Sequence, residues 1–122
     1  MTREKLENVL SRFEDGWFVT IQCESGWDDL IADLDRELSS IDPSYVVHQV
    51  KEKFGGLRFY FATNTNKRGE MNEVVKRYED LSLRTCELSG KPGVLMHKNG
   101  FYRTLSPEEA PEGFAPVDDL IV

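Results

Sequence analysis

Two adjacent glycines near the middle of the chain constrain the fold more than any other feature of the sequence. Gly55 and Gly56 separate two runs rich in β-branched and aromatic residues, which together extend from Tyr45 to Thr63. Two consecutive glycines readily adopt the positive φ angles of a type I′ turn, which joins the strands of a tight β-hairpin. The sequence therefore predicts a β-hairpin over residues 45–63 with both glycines at its tip.

A two-residue turn at these glycines would fix which residues oppose each other, because side chains alternate between the two faces of a strand. One face is predicted to pack on the core, with the opposed pairs Phe54/Leu57, Glu52/Phe59, Val50/Phe61 and His48/Thr63. The other face is predicted to be exposed, with the opposed pairs Lys53/Arg58, Lys51/Tyr60 and Gln49/Ala62. We name the candidate binding residues of this second face the hairpin patch: Gln49, Lys51, Lys53, Arg58 and Tyr60.

The cations of the hairpin patch need an anion nearby, since opposed like charges destabilise a sheet by up to about 1 kcal/mol. Two sources of that anion are open. Carboxylates of the protein itself could supply it, either from the acidic C-terminal segment or from Asp28, Asp29, Asp33 and Glu37. Alternatively, an external partner could supply it: the acidic surface of a protein, a small anion, or a nucleotide whose base stacks on Tyr60.

Apolar residues at helical spacing predict three helices. The first covers residues 2–13, the second opens at a capping box formed by Ser25 and Asp28, and the third runs from about Met71 to Leu83. The apolar stripe of the second helix consists of Trp27, Leu30, Ile31, Leu34 and Leu38. Between the first two helices, alternating residues predict a strand over residues 17–23 that joins the sheet. Trp17 and Trp27 are expected in the core, with an interface as the alternative.

The C-terminal third is rich in glycine and proline and favours short strands only, at residues 94–97 and 101–105. From Ser106 onward the chain has five acidic residues and no basic one. This pattern indicates a solvated tail, held at Val117 and residues 120–122. The 122 residues thus predict a single α+β domain: a small antiparallel sheet centred on the hairpin, two or three packed helices, and an irregular C-terminal segment.

Charge and motif content favour binding over catalysis. The net charge of −7 argues against a general nucleic-acid or membrane-surface binder, which needs surplus Lys and Arg. No catalytic motif is present, so an enzyme is not supported. The isolated candidates are Cys86 and Glu52, and burial would raise the pKa of Glu52 unless it pairs with His48 or with an arginine. The two histidines are isolated from other ligand residues, so we expect no metal and no other cofactor.

Localisation is inferred from features that the sequence lacks. The two cysteines do not form a C-x-x-C pair, which favours reduced thiols, and the N-terminal residues have no apolar stretch typical of a signal peptide. We therefore expect a cytoplasmic protein.

Several short motifs carry a family resemblance, which extends from about Trp17 to Ala110. The motifs are Gly26-Trp27 with Leu30-Ile31, the run from His48 to Tyr60, Thr85-Cys86-Glu87, and Gly90 with Pro92-Gly93. In these motifs the chain resembles a family of small uncharacterised proteins encoded by bacteriophages and prophages. The resemblance implies the cytoplasm of a virus-infected or lysogenic bacterium, and it supplies no reaction. We expect an accessory protein of phage type that binds a host or viral protein through the hairpin patch, the acidic surface, or both.

Members of that family have a C-x-x-C knuckle and a later C-x-x-H, which suggest a small zinc site. The matching positions here are Cys86, Ser89, Ser106 and Glu109. One thiol and two serines do not hold tetrahedral zinc, so the resemblance implies a degenerate knuckle without metal. Apolar packing is expected to replace the zinc, through Leu88, Val94, Leu95, Phe101, Tyr102 and Leu105.

Overall fold

A computed structural model describes residues 3–117 and confirms the α+β class, with three helices and two three-stranded sheets among those residues. The helices are α1 (Glu7–Ser11), α2 (Asp28–Ile41) and α3 (Arg68–Ser82), and single 3₁₀ turns (Glu4–Leu6 and Ser25–Trp27) precede α1 and α2. The strands are β1 (Ile21–Gln22), β2 (Val46–Lys53), β3 (Gly56–Ala62), β4 (Val94–Lys98), β5 (Phe101–Leu105) and β6 (Ala115–Pro116). Within residues 3–117, no helix is long and apolar enough to span a membrane.

The first sheet has the order β1-β2-β3, and α2 and α3 cover one of its faces. The predicted stripe of α2 is buried from Trp27 to Leu38, together with Val50, Leu57 and Phe59 of the hairpin. β1 joins the sheet as predicted but runs parallel to β2, so the sheet is mixed rather than wholly antiparallel. The capping box does not form: Ser25 lies in the 3₁₀ turn without a side-chain capping bond, and Asp28 binds Arg3.

The hairpin turn lies one residue earlier than predicted. Phe54 and Gly55 form its tip, with φ angles of 53° and 86°, and Lys53 pairs with Gly56. The Glu52 carboxylate supports this position by accepting the N–H of Gly55 at 2.7 Å. The opposed partners therefore move by two residues, which leaves Glu52, Lys53 and Leu57 on their predicted faces. The prediction that Phe54 packs on the core is wrong, because Phe54 lies in the turn and is exposed to 66%.

A bulge interrupts the ladder between Val47 and Gln49 and corrects the prediction for His48. One extra residue in a strand turns the following side chains to the other face. Val47 is consequently fully buried in the core, at the place where the sequence predicted His48.

Both edges of the first sheet are bonded to side chains from other parts of the fold. At β3, Leu57 donates its N–H to Ser82 Oγ (2.9 Å) and Phe59 donates to Glu79 Oε2 (3.0 Å). Beyond β1, Arg3 Nη1 donates to the carbonyl of Cys23 (2.7 Å), and the N–H of Glu24 donates to Glu87 Oε2 (3.0 Å). Such contacts occupy backbone groups that a sheet edge otherwise offers to a foreign strand.

The C-terminal part forms a second sheet, of order β5-β4-β6, and is less irregular than predicted. Its strands β4 and β5 confirm the two predicted short strands. Part of the predicted acidic tail is also ordered, because β6 pairs with β4; the predicted contacts at residues 120–122 lie outside the described range. Thr104 Oγ1 donates to the carbonyl of Gly55 at 2.8 Å and thereby links the second sheet to the hairpin turn.

Candidate binding surface

The hairpin patch lies on the face of the first sheet opposite α2 and α3. Lys51 opposes Arg58, Gln49 opposes Tyr60, and Lys53 opposes Gly56. The predicted pairs Lys53/Arg58, Lys51/Tyr60 and Gln49/Ala62 are therefore wrong, because the turn begins one residue earlier. The predicted grouping of these side chains on one face is confirmed, and it still contains an opposed pair of cations.

The carboxylates predicted to neutralise the hairpin patch from α2 have other partners. Asp29 pairs with Lys5 at 2.8 Å, and Glu37 pairs with Arg77 at 3.1 Å. Asp28 and Asp33 pair with Arg3 and Arg36, respectively. By pairing with Glu37, Arg77 links α3 to α2.

The cations of the hairpin patch have no ion pair within residues 3–117: no carboxylate oxygen there lies within 4.0 Å of a side-chain nitrogen of Lys51, Lys53 or Arg58. The nearby carboxylate of Glu79 accepts a hydrogen bond from the backbone N–H of Phe59. Burial raises the pKa of Glu79 above its usual value, while that hydrogen bond and the charge of Arg58 act in the opposite direction. The patch is thus a positive surface on a protein of net charge −7.

A loop beside the hairpin patch exposes aromatic residues that the sequence placed in a strand or in the core. Of the predicted strand over residues 17–23, only Ile21 and Gln22 pair with β2. Trp17, Phe18 and Val19 have exposed fractions of 46%, 82% and 55%. Trp27 is fully buried, so the core prediction is confirmed for Trp27 and wrong for Trp17. We name residues 14–20 the aromatic loop.

His48 holds the aromatic loop to the sheet. Its imidazole stacks on the Trp17 ring, with centroids 4.1 Å apart and planes within 5°, and its Nε2 lies 2.8 Å from Glu14 Oε1. The predicted pairing of His48 with Glu52 is therefore wrong. The bulge that buries Val47 turns His48 toward the loop, while Glu52 binds the hairpin turn.

The four positions of the degenerate knuckle lie at the base of the second sheet. Burial raises the pKa of the Cys86 thiol, but hydrogen bonds from the Ser89 hydroxyl and from backbone N–H groups of Ser106, Ser89 and Leu88 outweigh burial and lower it. Glu109 is instead directed toward Lys91, at 3.9 Å. Among residues 3–117, no group of three or more His, Cys, Asp or Glu side chains is arranged to hold a metal ion.

The packing predicted to replace zinc is only partly correct. Leu105 is fully buried with Cys86 and Met96, and Phe114 and Ala110 pack against them. By contrast, Leu88, Val94 and Phe101 are exposed, although Val94 and Phe101 lie on the same face of the β4–β5 hairpin as the buried Met96 and Leu105.

A cleft of about 1000 Å³ lies between β1 and the β4–β5 hairpin. Phe54 and Phe101 contribute to its lining, as do Glu87 and Arg103, whose side chains pair with each other at 3.3 Å. Lys98, also in the lining, donates to the carbonyl of Glu112 at 2.8 Å. In the hairpin patch, Arg58 donates to the carbonyl of Leu57 at 3.3 Å and Lys53 lies 5.6 Å from the centre of the Phe54 ring, but neither cation pairs with a carboxylate within residues 3–117.

Comparisons of the chain with protein-family models, curated proteins and solved structures gave no match. The geometry of the surface is therefore the basis on which a function can be proposed.

Proposed function

We propose that this protein is a non-enzymatic accessory protein of phage type that binds an acidic surface of a host or viral protein in the bacterial cytoplasm, through the hairpin patch. One observation carries the proposal: Lys51, Lys53 and Arg58 share one face of the sheet, with Lys53 exposed and the other two half-buried, and have no ion-pair partner within residues 3–117. Binding of carboxylates there would relieve the repulsion between Lys51 and Arg58, which oppose each other directly.

The contrast between the patch and the rest of the protein favours an oriented encounter. A net charge of −7 repels an acidic partner at a distance, while a local cluster of three cations attracts it in one orientation only. Charges on such an exposed face are screened by salt, with a Debye length of about 8 Å at physiological ionic strength. Binding is therefore expected to weaken steeply as salt rises.

The second candidate function is binding of a small anion or nucleotide by Lys51, Lys53, Arg58 and Tyr60. Ligands of that size are usually held in concave sites that bury most of their surface. The hairpin patch is one face of a short sheet, and none of its cations contributes to the lining of the cleft beside β1. A macromolecular partner, which can cover a flat surface, fits this geometry better.

The test is affinity capture from host and infected-cell lysates at low salt, followed by binding measurements on the captured protein. We expect the double variant Lys51→Glu with Arg58→Glu to lose the partner. Lys67→Glu with Lys76→Glu is the matched control, because it changes the net charge equally at exposed positions next to and on α3. Equal loss in both variants, or no loss in the first, would refute a role for the patch.

A thermal-shift panel of nucleotides and inorganic phosphate distinguishes the second candidate. A ligand at a hundred times its dissociation constant stabilises a protein by about 2.7 kcal/mol, which is readily measured. A shift that disappears in the Lys51/Arg58 variant would favour the small-anion function over the proposed one.

A further inference from the structure

The aromatic loop exists because two segments near the N-terminus pair with the same strand. Phe13 pairs with Val47 and Ile21 pairs with Val50, both in the parallel direction. Eight positions separate Phe13 from Ile21 along the chain, whereas three separate Val47 from Val50. The five additional residues must leave the sheet, and they carry Trp17, Phe18 and Val19 into solvent.

The base of this loop is fixed although its apolar side chains are exposed. Trp17 donates its N–H to the carbonyl of Glu14 at 3.1 Å, and its ring stacks on His48. Val47 also binds the chain just before the loop, donating to the carbonyl of Arg12 (2.9 Å) and accepting from the N–H of Glu14 (3.1 Å). Exposed apolar groups on a well-supported loop are typical of binding surfaces, since their burial against a partner loses little conformational entropy.

The aromatic loop and the hairpin patch form one continuous surface. A shallow depression of about 160 Å³ is lined by residues of both, including Trp17, Phe18 and Gln49. Gln22, also in this lining, stands in register with Lys51 and accepts a hydrogen bond from Gln49 at 3.5 Å. Along the sheet, the surface thus changes from cationic near the hairpin turn to aromatic at the loop.

We propose that the aromatic loop is the apolar anchor of the hairpin patch, and that the partner is a protein segment with an apolar side chain next to a cluster of carboxylates. This inference depends on the proposed function and names the partner's chemistry. Charge complementarity specifies the acidic half, because the charged side chains of the hairpin patch are cations, whereas Glu14 of the aromatic loop already lies 2.8 Å from His48 Nε2. The exposure of Phe18 and Val19 specifies the apolar half, because large aromatic groups buried at an interface contribute most of its affinity.

The experiment is selection of a random 16-residue peptide library on the immobilised full-length chain. We expect enrichment of peptides that combine Asp or Glu with Leu, Ile or Phe. Affinities of the selected peptides are then measured from Trp17 fluorescence, since Trp27 is fully buried and the Trp17→Phe variant identifies the reporting ring. Phe18→Ser should weaken binding at least about 10-fold, as expected for an anchor residue.

Phe101→Ser is the matched control, because Phe101 is an equally apolar side chain exposed to 72% on the other sheet, and it should change affinity less than about twofold. Selected peptides that are acidic only and bind Phe18→Ser normally would overturn the anchor and leave the proposed function standing. Peptides that bind the Lys51→Glu/Arg58→Glu variant normally would overturn both. Absence of enrichment, or stronger binding of an oligo-dT probe than of any peptide, would likewise overturn both.

Discussion

Replacing Lys51 with glutamate should make the protein more stable while it removes charge from the hairpin patch. Lys51 opposes Arg58 in the ladder, so the wild-type pair is repulsive and the Lys51→Glu pair is attractive. Opposed charge pairs contribute about 0.2–1 kcal/mol in either direction. Loss of the repulsion and gain of the attraction together predict an increase in the free energy of unfolding of about 0.5–1.5 kcal/mol.

Urea denaturation followed by circular dichroism measures this change. With a slope of about 2 kcal/mol per molar urea, a gain of about 1 kcal/mol moves the midpoint upward by about 0.5 M. The gain should shrink in high salt, which screens exposed charges. Lys53→Glu is the control: Lys53 opposes Gly56, so the same change of charge should alter stability by less than about 0.5 kcal/mol.

A loss of stability of about 1 kcal/mol or more in Lys51→Glu would refute the reasoning. A loss of this size is expected when one partner of a stabilising charge pair is removed. It would mean that the Lys51 ammonium is neutralised within the fold, and the hairpin patch would then lack free charge for a partner.

Three further changes test other parts of the structure. Ser82→Ala should lower the free energy of unfolding by about 1–3 kcal/mol in urea denaturation, because it leaves the buried N–H of Leu57 without an acceptor. Glu79→Gln keeps an acceptor for the N–H of Phe59. Because burial raises the pKa of Glu79, the folded state binds the proton of this carboxyl group more tightly than the unfolded state does. The free energy of unfolding of the wild type, relative to that of Glu79→Gln, should therefore fall as the pH rises from about 4.5. Unfolding curves measured over a pH series test this. Phe54→Asn should raise the free energy of unfolding by about 0.5–1 kcal/mol, because Phe54 is exposed and has a φ of 53° that asparagine adopts at lower cost. A higher midpoint of thermal unfolding would show this gain.

The hairpin and its two faces were predictable because both follow from local alternation. The position of its turn was not, since local preference favours Gly55-Gly56, whereas the turn places Phe54 at a φ of 53° that a bulky residue rarely adopts. Distant contacts decide between the two positions. A Cβ atom at position 55 would lie 2.5 Å from the Leu95 side chain. The second sheet therefore packs against the turn at a place where only glycine fits.

The strand predicted over residues 17–23 illustrates a non-local effect. Its pattern of apolar residues suits a strand, but part of the β2 edge is already bonded to residues 12–14. The competition for that edge leaves the aromatic loop outside the sheet. The local signal for the loop is Asp15-Gly16, a common turn sequence that directly precedes the residues predicted as a strand.

The bonded edges of the first sheet limit how this sheet can bind a peptide or protein partner. Many adaptor domains bind a peptide by adding it as an extra strand, so that main-chain bonds give affinity for almost any extended sequence. Here Ser82 and Glu79 occupy donors of β3, and Arg3 and Glu87 occupy backbone groups just beyond β1. A ligand of the first sheet must instead be selected by its side chains against the broad face of that sheet. Discrimination between partners there depends on a few positions that evolution can change without disturbing the fold.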